Sequence, residues 1–191
     1  MYFFNFQTAC SAMLALLLHA CITSANVNIY NWCPFDVYTT EIVFQTTNDP
    51  VLIRSGSDHI YPKEWSPSVN IKISKTPSLT NGILQFEYTA NQTTNSFWFN
   101  LSMIDGTSPA VPGNIFAGYN LAVTPTGDLG GKGFDCVQIS CPALPPPNTY
   151  GPCADAYWEP HDDAKSVKIC PADVGDLYVD LCGFVRPFPV A

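Results

Sequence analysis

Cys136-Val-Gln-Ile-Ser-Cys141-Pro142, then Gly151-Pro-Cys153-Ala-Asp-Ala-Tyr157-Trp-Glu-Pro-His-Asp162-Asp163, then Cys170-Pro171 and Leu177-Tyr-Val-Asp-Leu-Cys182-Gly183 form the stretch around which the chain is organised. It holds five of the eight cysteines and, with Asp135 just before it, eight of the 16 acidic residues. Half-cystines at this density, separated by Pro-containing turns, read as a disulfide framework. No Cys-x-x-Cys occurs and His161 stands alone beside the cysteines, so a zinc site is not expected and neither a metal nor a cofactor is implied.

Residues 1–25 are predicted to be a secretory signal. An apolar run from about Ala9 to Ile22 is centred on Met13-Leu-Ala-Leu-Leu-Leu18 and ends at Thr23-Ser24-Ala25, whose small last residue suits cleavage. The run is short of the roughly 20 residues a helix needs to cross a bilayer, so no membrane span is expected. Cleavage would remove Cys10 and Cys21 and leave six cysteines, an even number suited to three disulfides in an oxidising compartment, with on the order of fifteen pairings open. The remaining residues 26–191 have the length and apolar content of one domain, the whole chain being 191 residues and 47% apolar. With eight basic residues and a net charge of -8, the chain offers no footprint for nucleic acid or an anionic membrane.

Short runs of period two fill this domain. Asn26-Val-Asn-Ile-Tyr-Asn31 alternates polar and apolar residues as a half-buried strand does, and residues 37–44 are β-branched and aromatic; the two are predicted to pair as a hairpin. Residues 46–67, with three prolines and Ser-Gly-Ser, read as loops with brief edge strands. Ser68-Val-Asn-Ile-Lys-Ile-Ser74 places Val69, Ile71 and Ile73 on a core face, and residues 83–88 are its expected neighbour across the Asn81-Gly82 turn. Residues 97–104 are apolar at nearly every position and are predicted to be a strand buried on both faces or a buried helical turn, whereas residues 119–124 alternate. A short helical turn is expected near residues 153–157. Gly127-Asp-Leu-Gly-Gly-Lys-Gly133 lacks the ending and the following helix of a phosphate cradle and reads as a loop, and Leu144-Pro-Pro-Pro147 as a stiff connector. Many short strands between Gly and Pro turns predict an all-β sandwich.

Three stretches resemble the thaumatin-like proteins: Val27-Asn-Ile-Tyr-Asn-Trp-Cys33 with Val37-Tyr38; Ile83-Leu-Gln-Phe86 with Phe97-Trp-Phe-Asn-Leu-Ser-Met-Ile-Asp105-Gly106; and the Cys-x-Asp-Ala-Tyr, Pro-x-Asp-Asp, Cys-Pro and Val-x-Leu-Cys-Gly units of the opening stretch. The Gly-Pro-Cys-Ala-Asp-Ala-Tyr wording and the compact six-cysteine layout are most similar to the short fungal branch, the antigenic, Blastomyces yeast-phase-specific type. The resemblance implies an all-β thaumatin-like β-sandwich with disulfide-stapled C-terminal loops. It also implies the pairs Cys33 with Cys182, Cys136 with Cys170, and Cys141 with Cys153.

Larger members of that family carry an acidic cleft, and some bind or hydrolyse β-1,3-glucan, chemistry that needs two carboxylates about 5 to 9 Å apart. Carried over residue by residue, the cleft Glu falls on Gln85 and one cleft Asp on Asn100, neutral amides that relay no protons. Asp105 remains, Asp162 or Asp163 matches the last acid, and the cleft Arg has no counterpart. Glu87 shares a face with Gln85 by period two, and if that face is the cleft it restores one acid. Trp98, Tyr119, Tyr157 and Trp158 would stack on sugar rings if exposed, although most are expected in the core. Glu159, His161, Asp162 and Asp163 lack the loop spacing of a calcium site and read as a solvated acidic loop paired with Lys165 or Lys168. Two sequons, Asn91-Gln-Thr93 and Asn100-Leu-Ser102, are candidate glycosylation sites; the first lies in a polar loop and is the expected acceptor.

These readings predict a secreted, monomeric, disulfide-bonded fungal protein that is not an enzyme. It would act, antigen-like, at the cell wall or a host surface, with wall polysaccharide such as β-glucan, or a host protein, as partner. The alternatives are a β-1,3-glucan-binding or weakly hydrolysing protein using Asp105, Asp162 and Asp163, and an antifungal or protease-inhibitor module suggested by family analogy alone.

Overall fold

A computed structural model describes residues 25–65, 68–79, 82–105, 116, 118–127, 136–143 and 153–183. The expected leader therefore lies, but for Ala25, outside the described residues, as do the Pro145–147 connector, Asn81 and most of the Gly127–Gly133 loop. Among the described residues, no helix is long and apolar enough to cross a membrane.

Two sheets face each other. The first runs β10 (Ile139–Cys141), β9 (Leu121–Pro125), β12 (Leu177–Leu181), β1 (Asn26–Asn31) and β5 (Ser57–Pro62). The second runs β11 (Lys168–Pro171), β8 (Ser96–Ser102), β7 (Leu84–Asn91), β6 (Val69–Ser74), β2 (Val37–Val43) and β3 (Thr46–Thr47), with β4 (Val51–Ile53) also beside β2. One four-residue helix, α1 (Asp163–Ser166), precedes β11. The body is thus the all-β sandwich that the sequence pattern predicts.

Period two builds the interior. Val69, Ile71 and Ile73 of β6, Leu84, Phe86 and Tyr88 of β7, and Phe97, Phe99 and Leu101 of β8 all face inward, where they meet Val27, Ile29, Leu177, Val179 and Leu181 of the other sheet. Each such large apolar side chain, once enclosed, contributes about 1.5–3 kcal/mol. The strands β3 and β4 stay short because Asn48, Asp49 and Pro50 interrupt the edge, where a missing N–H costs no ladder bond.

The cystines tie this layout at three places. Cys33–Cys182 closes the ends of β1 and β12, which run parallel in register from Val27↔Leu177 to Asn31↔Leu181, and spans 149 residues. Cys136–Cys170 links the approach to β10 in one sheet with β11 in the other, and Cys141–Cys153 fastens the segment that follows. These are the pairs the resemblance implies.

Three local expectations are corrected. Strands β1 and β2 do not form a hairpin: β1 lies between β12 and β5, and the Cys33-Pro34 turn carries the chain into the other sheet, where β2 pairs with β6. Strand β8 is covered on one face only, since Trp98 is 44% exposed and Asn100 half-buried. Strand β9 is the one enclosed on both faces, because it lies between β10 and β12 and its alternate residues, Ala122 and Thr124, are small enough to be covered. The short turn expected near residues 153–157 does form, with Ala156 N–H donating to Cys153 O at 3.2 Å, and Tyr157 at its end bridges the edge of β8.

Candidate functional site

The outward face of the seven-stranded sheet carries the site. Antiparallel register aligns Thr40, Lys72, Gln85 and Ser102 across four strands, and Ile42, Asn70, Glu87 and Asn100 in the next row. Cross-strand neighbours of this kind stand about 4.5–5.5 Å apart at Cβ, so polar side chains in a row reach one another.

They do so through one network. The Asn70 amide donates from Nδ2 to Gln85 Oε1 and to Glu87 Oε1, both at 2.7 Å. Gln85 Nε2 donates to Asp105 Oδ2 at 3.1 Å, and Lys72 Nζ stands 3.6 Å from the same oxygen. Asn100 hydrogen-bonds the Glu87 carboxylate from the opposite side. Burial pushes the Glu87 carboxyl pKa up, and Asp105 adds to this, while hydrogen bonds from Asn100 and Asn70 and the charge of Lys72 pull it down. The carbonyl oxygens of Asn70 and Asn100 are buried and accept no hydrogen bond among the described residues. Buried polar atoms are usually satisfied, so these two acceptors are a departure from the norm.

The far wall comes from the cystine-held segment. Tyr157 pairs with β8 through its N–H to Leu101 O and its C=O to Met103 N, each at 2.9 Å. Its hydroxyl donates to Asp163 at the start of α1. Desolvation first, then Asp163 and the charge of Glu87, push the phenol pKa up, which puts the two walls within electrostatic reach of each other. Below the network, a shallow depression of about 280 Å³ is lined by Ser68, Glu87, Thr89, Trp98, Asn100 and Val167, among others.

Of the six candidate cleft residues, Gln85, Glu87, Asn100 and Asp105 thus share one surface, and Asp163 joins them through Tyr157. Asp162 is engaged elsewhere: at the residue before α1 its carboxylate ion-pairs with Lys165 at 3.0 Å and has its pKa lowered chiefly by that lysine. Lys168 serves Asp155 instead, at 3.2 Å, and is itself buried. Among the described residues, no group of three or more His, Cys, Asp or Glu could hold a metal ion. The four aromatics form no single platform: Trp158 packs against the core, Tyr119 and Tyr157 are partly buried, and Trp98 is exposed. Trp98 borders the depression, Tyr119 packs edge-on against Phe35 at 5.7 Å, and Trp158 is tied through Nε1 to Cys153 O at 2.9 Å. The sequons differ as well: Asn91 is exposed, whereas Asn100 hydrogen-bonds Glu87 and Ser102 is buried.

Asn70 and Lys72 are functional neighbours that sequence reading passes over. The signal was present, since the period-two pattern that sends Val69, Ile71 and Ile73 inward sends these two outward, beside Gln85 and Glu87 once the register is known.

The fold and its cystines define a thaumatin-like protein. Similar architecture occurs in the protein elicitor MoHrip2 from Magnaporthe oryzae, with a TM-score of 0.61, 22% identity, and 83% of this chain and 99% of that one covered. The thaumatin-like xylanase inhibitor TLXI aligns with a TM-score of 0.50 at 9% identity, over 82% of this chain and 99% of its own. Among curated proteins none matches the sequence. The chain belongs to the Blastomyces yeast-phase-specific protein family, whose sequence profile matches residues 12–183.

Proposed function

We propose that this protein is exported by a leader in residues 1–25 and works outside the cell as a monomeric, non-catalytic binding protein, at the fungal wall or at a host surface. Three cystines fit an oxidising compartment and support export. The observation that carries the binding reading is the open depression in which the half-exposed Trp98 stands beside Glu87, Asn100, Ser68 and Thr89. Polar side chains next to an exposed aromatic face suit a hydroxyl-rich ligand such as a β-glucan, or the amides of a host protein. Proton relay is less well served, because Gln85 and Asn100 stand where a hydrolase of this class has acids.

One observation favours a second reading. Glu87 faces the site, and burial raises its pKa as a general acid requires, with Asp105 on the same surface as the second carboxylate. Incubation of the oxidised protein with insoluble β-1,3-glucan separates the two. Retention on the glucan without release of reducing ends between about pH 4 and 7 is the expected result. Release of reducing ends, abolished by Glu87→Gln or Asp105→Asn, would replace binding by hydrolysis. Failure to retain either glucan or a host surface protein would remove the binding reading.

A further inference from the structure

We infer that the indole of Trp65 is the resting surface for the first sugars of an N-linked glycan on Asn91, a modification that rests on the export proposed above. Asn91 opens the sequon Asn91-Gln92-Thr93 at the last position of β7. Its Oδ1 accepts the backbone N–H of Thr93 at 2.9 Å and of Thr94 at 3.2 Å, so the exposed side chain is tethered through its oxygen. Attachment uses an oligosaccharide carried on a lipid pyrophosphate. The Nδ2–C1 bond forms, the C1–O bond to the pyrophosphate breaks and leaves with its electron pair, and the amide gives up one proton.

An independent observation lies beside it. Trp65 is 49% exposed, a large apolar surface left in water. With Thr89, Ala90, Asn91 and Gln92 it lines one open depression of about 400 Å³. Lys63 steadies the indole, its Nζ lying 5.6 Å from the ring centroid while donating to Ala172 O at 3.1 Å. A pyranose presents an axial C–H face that packs on an indole while its hydroxyls stay hydrated, so a glycan leaving Asn91 finds a complementary surface within its first residues.

The test takes residues 26–191, which contain every strand among the described residues and the three cystines, behind a heterologous leader in a glycosylating yeast. Peptide mapping after amidase release locates the carrier asparagine. Unfolding equilibria are then compared for the glycosylated parent, Trp65→Ala and Trp65→Tyr and for the same three chains carrying Thr93→Ala, which removes the sequon and keeps Asn91 an amide. Loss of the glycan should lower the folding equilibrium constant of the parent about fivefold, the scale of one aromatic contact, leave Trp65→Ala unchanged, and act at an intermediate level on Trp65→Tyr. A secreted chain with Asn91 unmodified would overturn the inference, as would an equal effect of glycan loss with and without the indole. Export is judged separately, by fusing residues 1–25 to a reporter, so that either result can fail alone.

Discussion

Replacing Cys33 and Cys182 by Ala should destabilise the fold far more than replacing Cys141 and Cys153, and the difference can be worked out from the loops they close. The first cystine spans 149 residues, but Cys136–Cys170 lies inside it and short-circuits 34 of them, leaving a loop of about 115. Chain entropy then assigns it about 5 kcal/mol, against about 3 kcal/mol for the 12-residue loop of Cys141–Cys153. All four sulfurs pack against the core, so truncation adds a similar term to each pair and leaves the difference near 2 kcal/mol. With a urea dependence of about 2 kcal/mol per molar, the unfolding midpoint of the first double variant should lie about 1 M below that of the second. Tryptophan fluorescence across a urea series, in the absence of thiols, reads both. Equal shifts, or a larger one for the short loop, would refute the claim that these cystines act by constraining the unfolded chain.

Two further outcomes follow from local geometry. Burial holds the Glu87 pKa above its ordinary value of 4.5, so the folded state binds the proton more tightly than the unfolded chain. The cost of the charged form is therefore fully present above the folded pKa and relieved as the pH falls below the ordinary value. Glu87→Gln should accordingly raise Tm at neutral pH and lose that gain on acidification, and a gain that grows on acidification would contradict the assignment. The turn between β2 and β3 is a two-residue loop in which Phe44 and Gln45 have φ of 44° and 71°, the left-handed region that Asn and Gly tolerate. Phe44 is 67% exposed and adds little packing, so Phe44→Asn with Gln45→Gly should stabilise by about 1–2 kcal/mol, read as a higher denaturation midpoint.

What the sequence disclosed was chiefly local. Period two in residues 69–74 and 84–88 specified which side chains enter the core, and it put Gln85 and Glu87 on one surface, as the structure has them. Partner choice was not local: β1 reads equally well as half of a hairpin, and nothing in its six residues names β12 as its neighbour. Burial failed for the same reason. An alternating strand such as β9 becomes fully enclosed, and an apolar one such as β8 keeps Trp98 in water, because cover is supplied by remote segments. The site was half legible. The resemblance supplied Gln85, Asn100 and Asp105, but Asn70, Lys72 and the role of Tyr157 appear only once three strands and a cystine-held loop are set in register.

The parallel pairing of β1 with β12 also fixes a timetable. Synthesis proceeds at about 5–20 residues per second, so β1 exists for roughly 8–30 s before β12 is made. During that interval only β5, some thirty positions on, is at hand to occupy one of its edges. The other edge stays bare, with its N–H and C=O groups open to any passing chain. Nascent molecules should therefore be most vulnerable to aggregation late in translation, and a holdase that masks one strand near the amino end would protect them best.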